Sequence, residues 1–231
     1  MILAAHQPQF APWLGFFDKL DRADVFVLLD NVQFKKNEWQ NRNRVKAADG
    51  PQWLTVPVSF HFWDKINEVS IAEDNHWRHR HQQTLTTCYS RARYFQETFA
   101  LYDEAISHEW SELCELNITL LQALASRLGI DTRMSVASEM DPLPEDRDER
   151  LIALCKRFGA DTYLAGAGGR QYMQLEKYEE TETKLVFQDY HHPAYEQLFA
   201  EFSPQLSVLD LLFNHGTKSL GVIRGGRHEG A

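Results

Sequence analysis

No stretch of this 231-residue sequence approaches the roughly 18 consecutive apolar residues that a bilayer-crossing helix needs, so no membrane span is expected. The opening residues, Met1 to Gln7, lack the basic start and long apolar core of a signal peptide, and a cytoplasmic location is expected. Cysteine is scarce. Cys88, Cys114 and Cys155 stand far apart in odd number, which gives neither a disulfide framework nor a paired metal spacing and fits reduced thiols. Positive charge is short as well. With 24 Lys and Arg against 33 Asp and Glu the formal net charge is −9, which argues against sequence-independent binding to duplex DNA, where a basic footprint must neutralise phosphates. There is no Walker motif, no G-x-G-x-x-G, no G-x-S-x-G elbow, no His-x-Glu-x-x-His and no placed nucleophilic cysteine. The sequence therefore names no metal-ligating residues, and it leaves the cofactor, any metal dependence and the oligomeric state open.

What is present suits one compact domain. Hydrophobic residues make up 43% of the chain and charged residues 25%, enough to bury one substantial core. Residues 1–5 read as a buried strand, and Pro8 and Pro12 punctuate the turn after it. Pro12 is expected at the first helical position, and 13–20 read as helix. Residues 23–30 are a near-continuous apolar strand ending in a carboxylate, so strand, helix and strand fall within about 30 residues, the size of a βαβ unit. Residues 53–58 and 68–71 read as further strands. From about Asn75 to Arg127 the pattern turns helical, with Leu113, Leu116, Leu120, Leu121, Leu124 and Leu128 at helical spacing and Gly129 as the stop. Strands are expected at 132–136, 162–165 and 184–189, a helix at 149–158, and helical turns at 207–213 and 217–222. The fold class this predicts is α/β, with a mostly parallel Rossmann-like sheet and a helical middle. Residues 1–72 form one α/β part, 73–130 the helical segment and 131–223 a second α/β part. Residues 224–231 read as a frayed tail.

Candidate site residues concentrate near the start. His6 and Gln7 leave a buried strand directly, where His6 can serve as general acid/base or donate to a ligand oxygen. After the second strand, Asp30 can hold a hydroxyl, a metal or an amine, Gln33 can orient a polar group, and Lys35 or Lys36 can pair with phosphate. The run Lys35 to Lys46 carries five basic residues and one acid, a basic island on an acidic chain. Within it Trp39, Gln40, Asn41, Arg42, Asn43 and Arg44 combine an aromatic ring, three amides and two guanidinium forks. Strand alternation places Arg42 and Arg44 on one face and Asn41 and Asn43 on the other. Gly166, Gly168, Gly169 and Arg170 follow a strand and precede a helix expected at 171–175, so backbone N–H groups can approach an anion there. In an open parallel sheet, ligands sit beyond the carboxyl ends of strands. The turns at His6-Gln7, Asp30–Gln33 and Gly166–Arg170 would share that edge if their strands are neighbours. His191 and His192 lie past the last strand and point to opposite sides of an extended chain, which does not favour chelation. His76, His79 and His81 read as surface residues of a helix start, and Asn75, His76 and Trp77 as a rim.

The segments HQPQFAPWLGFFDKL, LLDNVQFKKNEWQNRNRVK, PQWLTVPV, TYLAGAGGRQYM and DYHHPAYEQLFAEFSPQLSVLDLLFNHG resemble the WbqC-like protein family, in order, over residues 1–216. The resemblance implies a role in surface-glycan, O-antigen or secondary-metabolite assembly. The implied chemistry is modification of a sugar nucleotide or related activated intermediate by transfer of an acyl or aminoacyl group. The partner expected is an anionic small molecule, nucleotide-linked or not. A non-catalytic small-molecule binder or accessory subunit of a glycan enzyme is the alternative, and tRNA or single-stranded RNA recognition through Trp39, Trp53 and the basic island is a third. The first strand, loop and PWLGFF helix are also similar, more distantly, to the start of the HIGH-motif nucleotidyltransferases. Trp13, Leu14, Gly15 and Phe16 stand where those enzymes carry His-x-Gly-His, so the glycine is kept and both phosphate-binding histidines are absent. That similarity carries an architecture, not an activity.

Overall fold

A computed structural model describes residues 1–74 and 76–228. Asn75 and the last three residues of the expected tail, 229–231, lie outside the described residues.

Five short apolar runs build one parallel sheet. They are β1 (Ile2–His6), β2 (Val25–Leu28), β7 (Arg133–Val136), β8 (Thr162–Ala165) and β9 (Lys184–Phe187), in the order β7-β2-β1-β8-β9. β1 pairs with β2 from Leu3 opposite Val25 to His6 opposite Leu28, and with β8 on its other side. Because both faces are covered, side chains on alternate parities enter two separate cores. Leu3, Ala5, Val25, Val27, Tyr163 and Ala165 pack under α5 (Arg147–Phe158) and α6 (Leu175–Glu179). Ala4, Phe26, Leu28 and Leu164 pack on the other side, with Leu14, Phe16, Phe17 and Leu20 of α1 (Leu14–Arg22) and with the larger helical layer.

That layer comprises α2 (Trp77–Tyr89), α3 (Phe95–Ser107), α4 (Leu113–Leu128) and α7 (Val208–His215); the final helix, α8 (Ser219–Arg224), packs on α1. The leucine ladder of α4 is buried throughout, and Gly129 ends the helix at φ 79°, a left-handed position that glycine takes without a Cβ clash. Residues 53–58 and 68–71 do not join the central sheet. They contribute to two antiparallel pairs, β3 (Arg42–Ala47) with β4 (Gly50–Thr55), and β5 (Val58–Ser59) with β6 (Ser70–Ile71). Pro12 does not open α1 either. Trp13 holds the extended cap position and the helix starts at Leu14.

His81 is not a surface residue. It is 4% exposed, wedged between Phe10, Trp77 and Tyr102, with Nδ1 2.8 Å from the Tyr102 hydroxyl and Nε2 3.1 Å from the Thr55 carbonyl. Burial pushes its pKa down to about 4. The stretch after α8, expected as a frayed tail, is tied down through His228. Arg227 donates to Asp18, which is fully buried, and to Asp21, and Arg224 reaches Asp21 at 2.9 Å. No helix among the described residues is long and apolar enough to cross a membrane.

Candidate functional site

The strand order reverses between β1 and β8. From β1 the chain winds outward through β2 to β7 on one side, then crosses to β8 and β9 on the other. Ligands of open α/β sheets bind in the crevice outside the carboxyl ends at such a switch point. Here those ends are His6 and Ala165. The three polar turns singled out in the sequence follow β1, β2 and β8, which are adjacent in the sheet, so they share one edge.

His6 is part-buried on the α1 side, its ring edge-on to Phe16 with centroids 5.0 Å apart and Nδ1 3.0 Å from the Gln7 carbonyl. Burial, and then the charge of Lys19, push its pKa down to about 4, so the imidazole is neutral at pH 7 with Nε2 free to take a proton. Lys19 was not foreseen as part of this region. It is 4% exposed, Nζ donates to the Ala5 carbonyl at 2.8 Å, and burial lowers its pKa to about 8. No carboxylate pairs with it among the described residues. Its signal in the sequence was a lysine amid the apolar positions of a nine-residue helix packed on the first strand.

The amides of the basic island work differently from the expectation. Asn41 and Asn43 are buried and bind backbone rather than facing a ligand. Asn41 Nδ2 donates to the Val56 carbonyl at 3.0 Å, and Asn43 Nδ2 donates to Ala11 at 2.7 Å, while Asn43 Oδ1 accepts from Arg44 N. Ala11 sits at φ 41°, a left-handed conformation that a non-glycine residue holds only under constraint, and Asn43 supplies that constraint. Gln40, also buried, joins three segments. Its Nε2 donates to Gln7 Oε1 at 2.8 Å, its Oε1 accepts from Lys35 N at 2.8 Å, and its carbonyl accepts from Asn117 of α4. The His6-Gln7 turn, the Lys35 loop and the Trp39–Arg44 run are thus brought together by the Gln40 side chain, one of the three amides of that run, in a bracing role that the sequence did not indicate.

The two arginines occupy the opposite face of β3, as alternation requires. The Arg42 guanidinium lies 4.2 Å from the Trp53 ring, and that of Arg44 lies 5.6 Å from Trp53 and 5.8 Å from Trp39. Neither pairs with a carboxylate among the described residues. Arg42 donates to the Asn37 carbonyl, yet the Nε atoms of both arginines are buried without a hydrogen-bond partner among the described residues. Lys46, by contrast, is used internally: its Nζ binds Gln197 Oε1 at 3.1 Å and the carbonyls of Phe199 and Glu201. Beside the arginines lies a cavity of about 210 Å³ lined by Trp13, Trp39 and Gln205.

The remaining candidates scatter. Asp30 is buried, and its carboxylate holds Ser138 through the backbone N–H at 2.9 Å and the hydroxyl, a brace between the β2 and β7 ends rather than a free catalytic group. Gln33 is exposed and donates to the Phe62 carbonyl at 2.9 Å, and the Lys35 side chain is exposed. The Gly166 turn is a 3-10 helix over Ala167–Gln171 with no positive φ in it, and the next helix starts at Leu175 rather than at 171. Gly169 is a packing glycine, since a Cβ there would come within 2.8 Å of the Met173 sulfur; Gly166 and Gly168 face open space, and Arg170 lies on the Phe187 ring at 4.7 Å. His191 and His192 do not converge with a third ligand, and no group of three or more His, Cys, Asp or Glu suited to a metal occurs among the described residues.

No solved structure matches the chain significantly. A protein of Mycobacterium tuberculosis (strain ATCC 25618 / H37Rv), named "Uncharacterized protein Rv1507c", is 35% identical over 226 residues, covering 96% of this chain and 97% of that one. The family model described as "WbqC-like protein family" matches residues 7–221, from the Gln7 turn to the last helix. With that span and the near full-length relative, the chain belongs to the WbqC-like protein family.

Proposed function

We propose that this protein is a transferase that binds an activated anionic small molecule at the carboxyl edge of its sheet. Arg42 and Arg44 hold the phosphate or carboxylate, and His6 moves the proton. One observation carries the reading. Two guanidinium groups are held side by side against tryptophan rings, with no acidic partner among the described residues and with buried Nε atoms left unbonded. An unpaired donor of this kind costs about 1–3 kcal/mol, and the cost is removed when an oxyanion fills the fork. His6, linked to the arginine strand through Gln7 and Gln40, is unprotonated at neutral pH and can accept a proton, as a weak base with its pKa near 4. Lys35 adds an exposed cation on the adjoining loop, and the N–H groups around Gly166 and Gly168 offer donors for developing negative charge. Trp39 lies against the same fork. Surface-glycan or secondary-metabolite assembly is the setting that the family suggests.

The test is to incubate the purified protein with nucleotide sugars and with acyl and aminoacyl donors, follow mass changes, and titrate the anions calorimetrically. Arg42→Ala with Arg44→Ala should weaken anion binding at least tenfold, the scale of one lost charge-assisted bond of about 1.5–3 kcal/mol. His6→Ala should abolish turnover while leaving binding intact. Binding unaffected by loss of both arginines would remove the assignment. Binding that never leads to turnover would reduce the protein to an accessory binder.

A further inference from the structure

We propose that the cavity between Trp13 and Trp39 receives the heteroaromatic base of a nucleoside phosphate whose phosphates lie on Arg42 and Arg44. The proposal rests on the anion-binding role given to those arginines and narrows the substrate class from any activated anion to a nucleotide-linked one.

The cavity and the arginines share a wall. Trp39 lines the cavity, and the Arg44 guanidinium stands 5.8 Å from its ring. At about 210 Å³ the cavity lies below the roughly 300–1,000 Å³ of pockets that enclose whole drug-sized ligands, so it suits one ring with the rest of the ligand outside. Its walls are two indoles, which offer stacking surface to any flat base, and Gln205, whose amide presents both a donor and an acceptor to a base edge. Gln205 is exposed, its side chain makes no hydrogen bond to another described residue, and its backbone holds φ 57°.

Both rings are fixed before a ligand arrives. The Trp13 indole lies on Gly15, where no Cβ intervenes, and packs edge-on to Tyr190 at 5.8 Å and parallel to His192 at 6.5 Å. Trp39 is held through its carbonyl, which accepts from Phe10 N at 2.9 Å, and its ring leans on Trp53 at 5.7 Å. The surroundings are polar as well as aromatic. Behind Trp13 and outside the cavity lining, the Tyr190 hydroxyl and His192 Nε2 are buried without a partner among the described residues. Two indole walls and one amide suit a flat heteroaromatic base over an acyl chain, which has no ring to stack.

Isothermal titration at fixed ionic strength with UDP, ADP, GDP, CDP, dTDP and inorganic pyrophosphate tests this. At least one nucleoside diphosphate should bind roughly 5- to 150-fold more tightly than pyrophosphate, the range for one base stacked on an aromatic side chain. Trp39→Leu should erase that preference, read as the ratio of nucleoside diphosphate to pyrophosphate affinity within the same variant, because Trp39 also lies 5.8 Å from the Arg44 guanidinium. Gln205→Ala, on an exposed loop where folding is not at risk, should lower nucleoside diphosphate affinity without touching pyrophosphate. If nucleoside diphosphates bind no better than pyrophosphate, the base slot is wrong and the anion site stands. If neither variant alters the preference, the base lies elsewhere and the slot is again wrong. If no anion binds at all, both readings fall.

Discussion

Replacing Gly15 by alanine places a methyl group where the Trp13 indole already lies. The new Cβ would stand 2.2 Å from Trp13 Cη2, 2.5 Å from Cζ2 and 2.7 Å from Cζ3, closer than real carbon contacts allow. These atoms are the far edge of a side chain, so the indole rotates away while the backbone stays. Elsewhere the change is benign, since Gly15 is a helical residue without a left-handed φ, and alanine there stabilises by about 0.4–1 kcal/mol through the unfolded chain. Moving Trp13 forfeits its contacts with Tyr190 and His192, each worth about 0.5–1.5 kcal/mol. The net destabilisation therefore falls between about zero and 2.5 kcal/mol. At about 2–4 °C per kcal/mol for a chain of this size, Tm drops by about 10 °C at most and the fold persists. Function should respond more sharply. Nucleoside diphosphate affinity should fall to the level of pyrophosphate, while pyrophosphate itself, held on β3, binds as before. Differential scanning calorimetry, near-ultraviolet circular dichroism of the tryptophans and titration calorimetry read the three quantities. A Gly15→Ala protein with a displaced indole signal and an intact nucleotide preference would refute Trp13 as a wall of the slot.

Three further outcomes follow from other contacts. His81 binds no proton in the fold until about pH 4, whereas the unfolded chain takes one near 6.5, so stability is full above pH 6.5 and falls as pH drops toward 4; urea unfolding should show about 2 kcal/mol lost between pH 6.5 and 5 from this residue, a slope that His81→Gln removes. Asn43→Ala frees the Ala11 carbonyl and should destabilise by about 1–3 kcal/mol, measured by denaturant midpoint; a change under about 0.5 kcal/mol would show that the left-handed Ala11 holds without it. Lys19→Met removes the cation beside His6, so the acid limb of kcat/KM should move up from about pH 4 toward, and not past, 6.5; an unmoved limb would detach His6 from the reaction or Lys19 from His6.

Much of the architecture was legible because burial writes itself as periodicity. The four residues of β8 coincide with the apolar run at 162–165, and the leucines of α4 mark its buried stripe to the glycine that ends it. The carboxyl-edge grouping of three turns followed from strand adjacency, which the sequence posed as a condition and the sheet order meets. Partner identity was not legible. An amide that braces a carbonyl and an amide that reads a ligand have the same letter and the same spacing, so Asn41 and Asn43 were placed at a ligand and belong to the backbone. His81 was placed on the surface because neighbouring histidines and arginines are hydrophilic, yet Trp77, His81 and Leu85 recur at four-residue intervals, the spacing of one helix face. The Trp13 wall escaped because its partner segment around Tyr190, His192 and Gln205 has no regular structure and lies some 180 residues away along the chain.

The basic island has its own internal contrast. Lys46, on the same strand as the arginines, gives its donors to Gln197 and two loop carbonyls, and so anchors the segment that brings Gln205 to the cavity. Arg42 gives one donor to the Asn37 carbonyl, and the Arg44 side chain gives none to a described residue. Some arginines meet carboxylates, as Arg224 and Arg227 do at Asp21 and Arg157 at Asp141, and others, such as the neighbouring Arg91 and Arg93, meet none among the described residues. What sets Arg42 and Arg44 apart among these residues is a buried Nε without a hydrogen-bond partner on each, on two like charges that share a tryptophan face and repel each other. The braces that hold them there, Asn41, Asn43 and Gln40, are all uncharged, so the strand is fixed without quenching its charge. A surface built only for solubility has no reason to separate the two tasks. A surface built to receive an anion does, and that separation is what the double arginine variant and the pyrophosphate titration interrogate together.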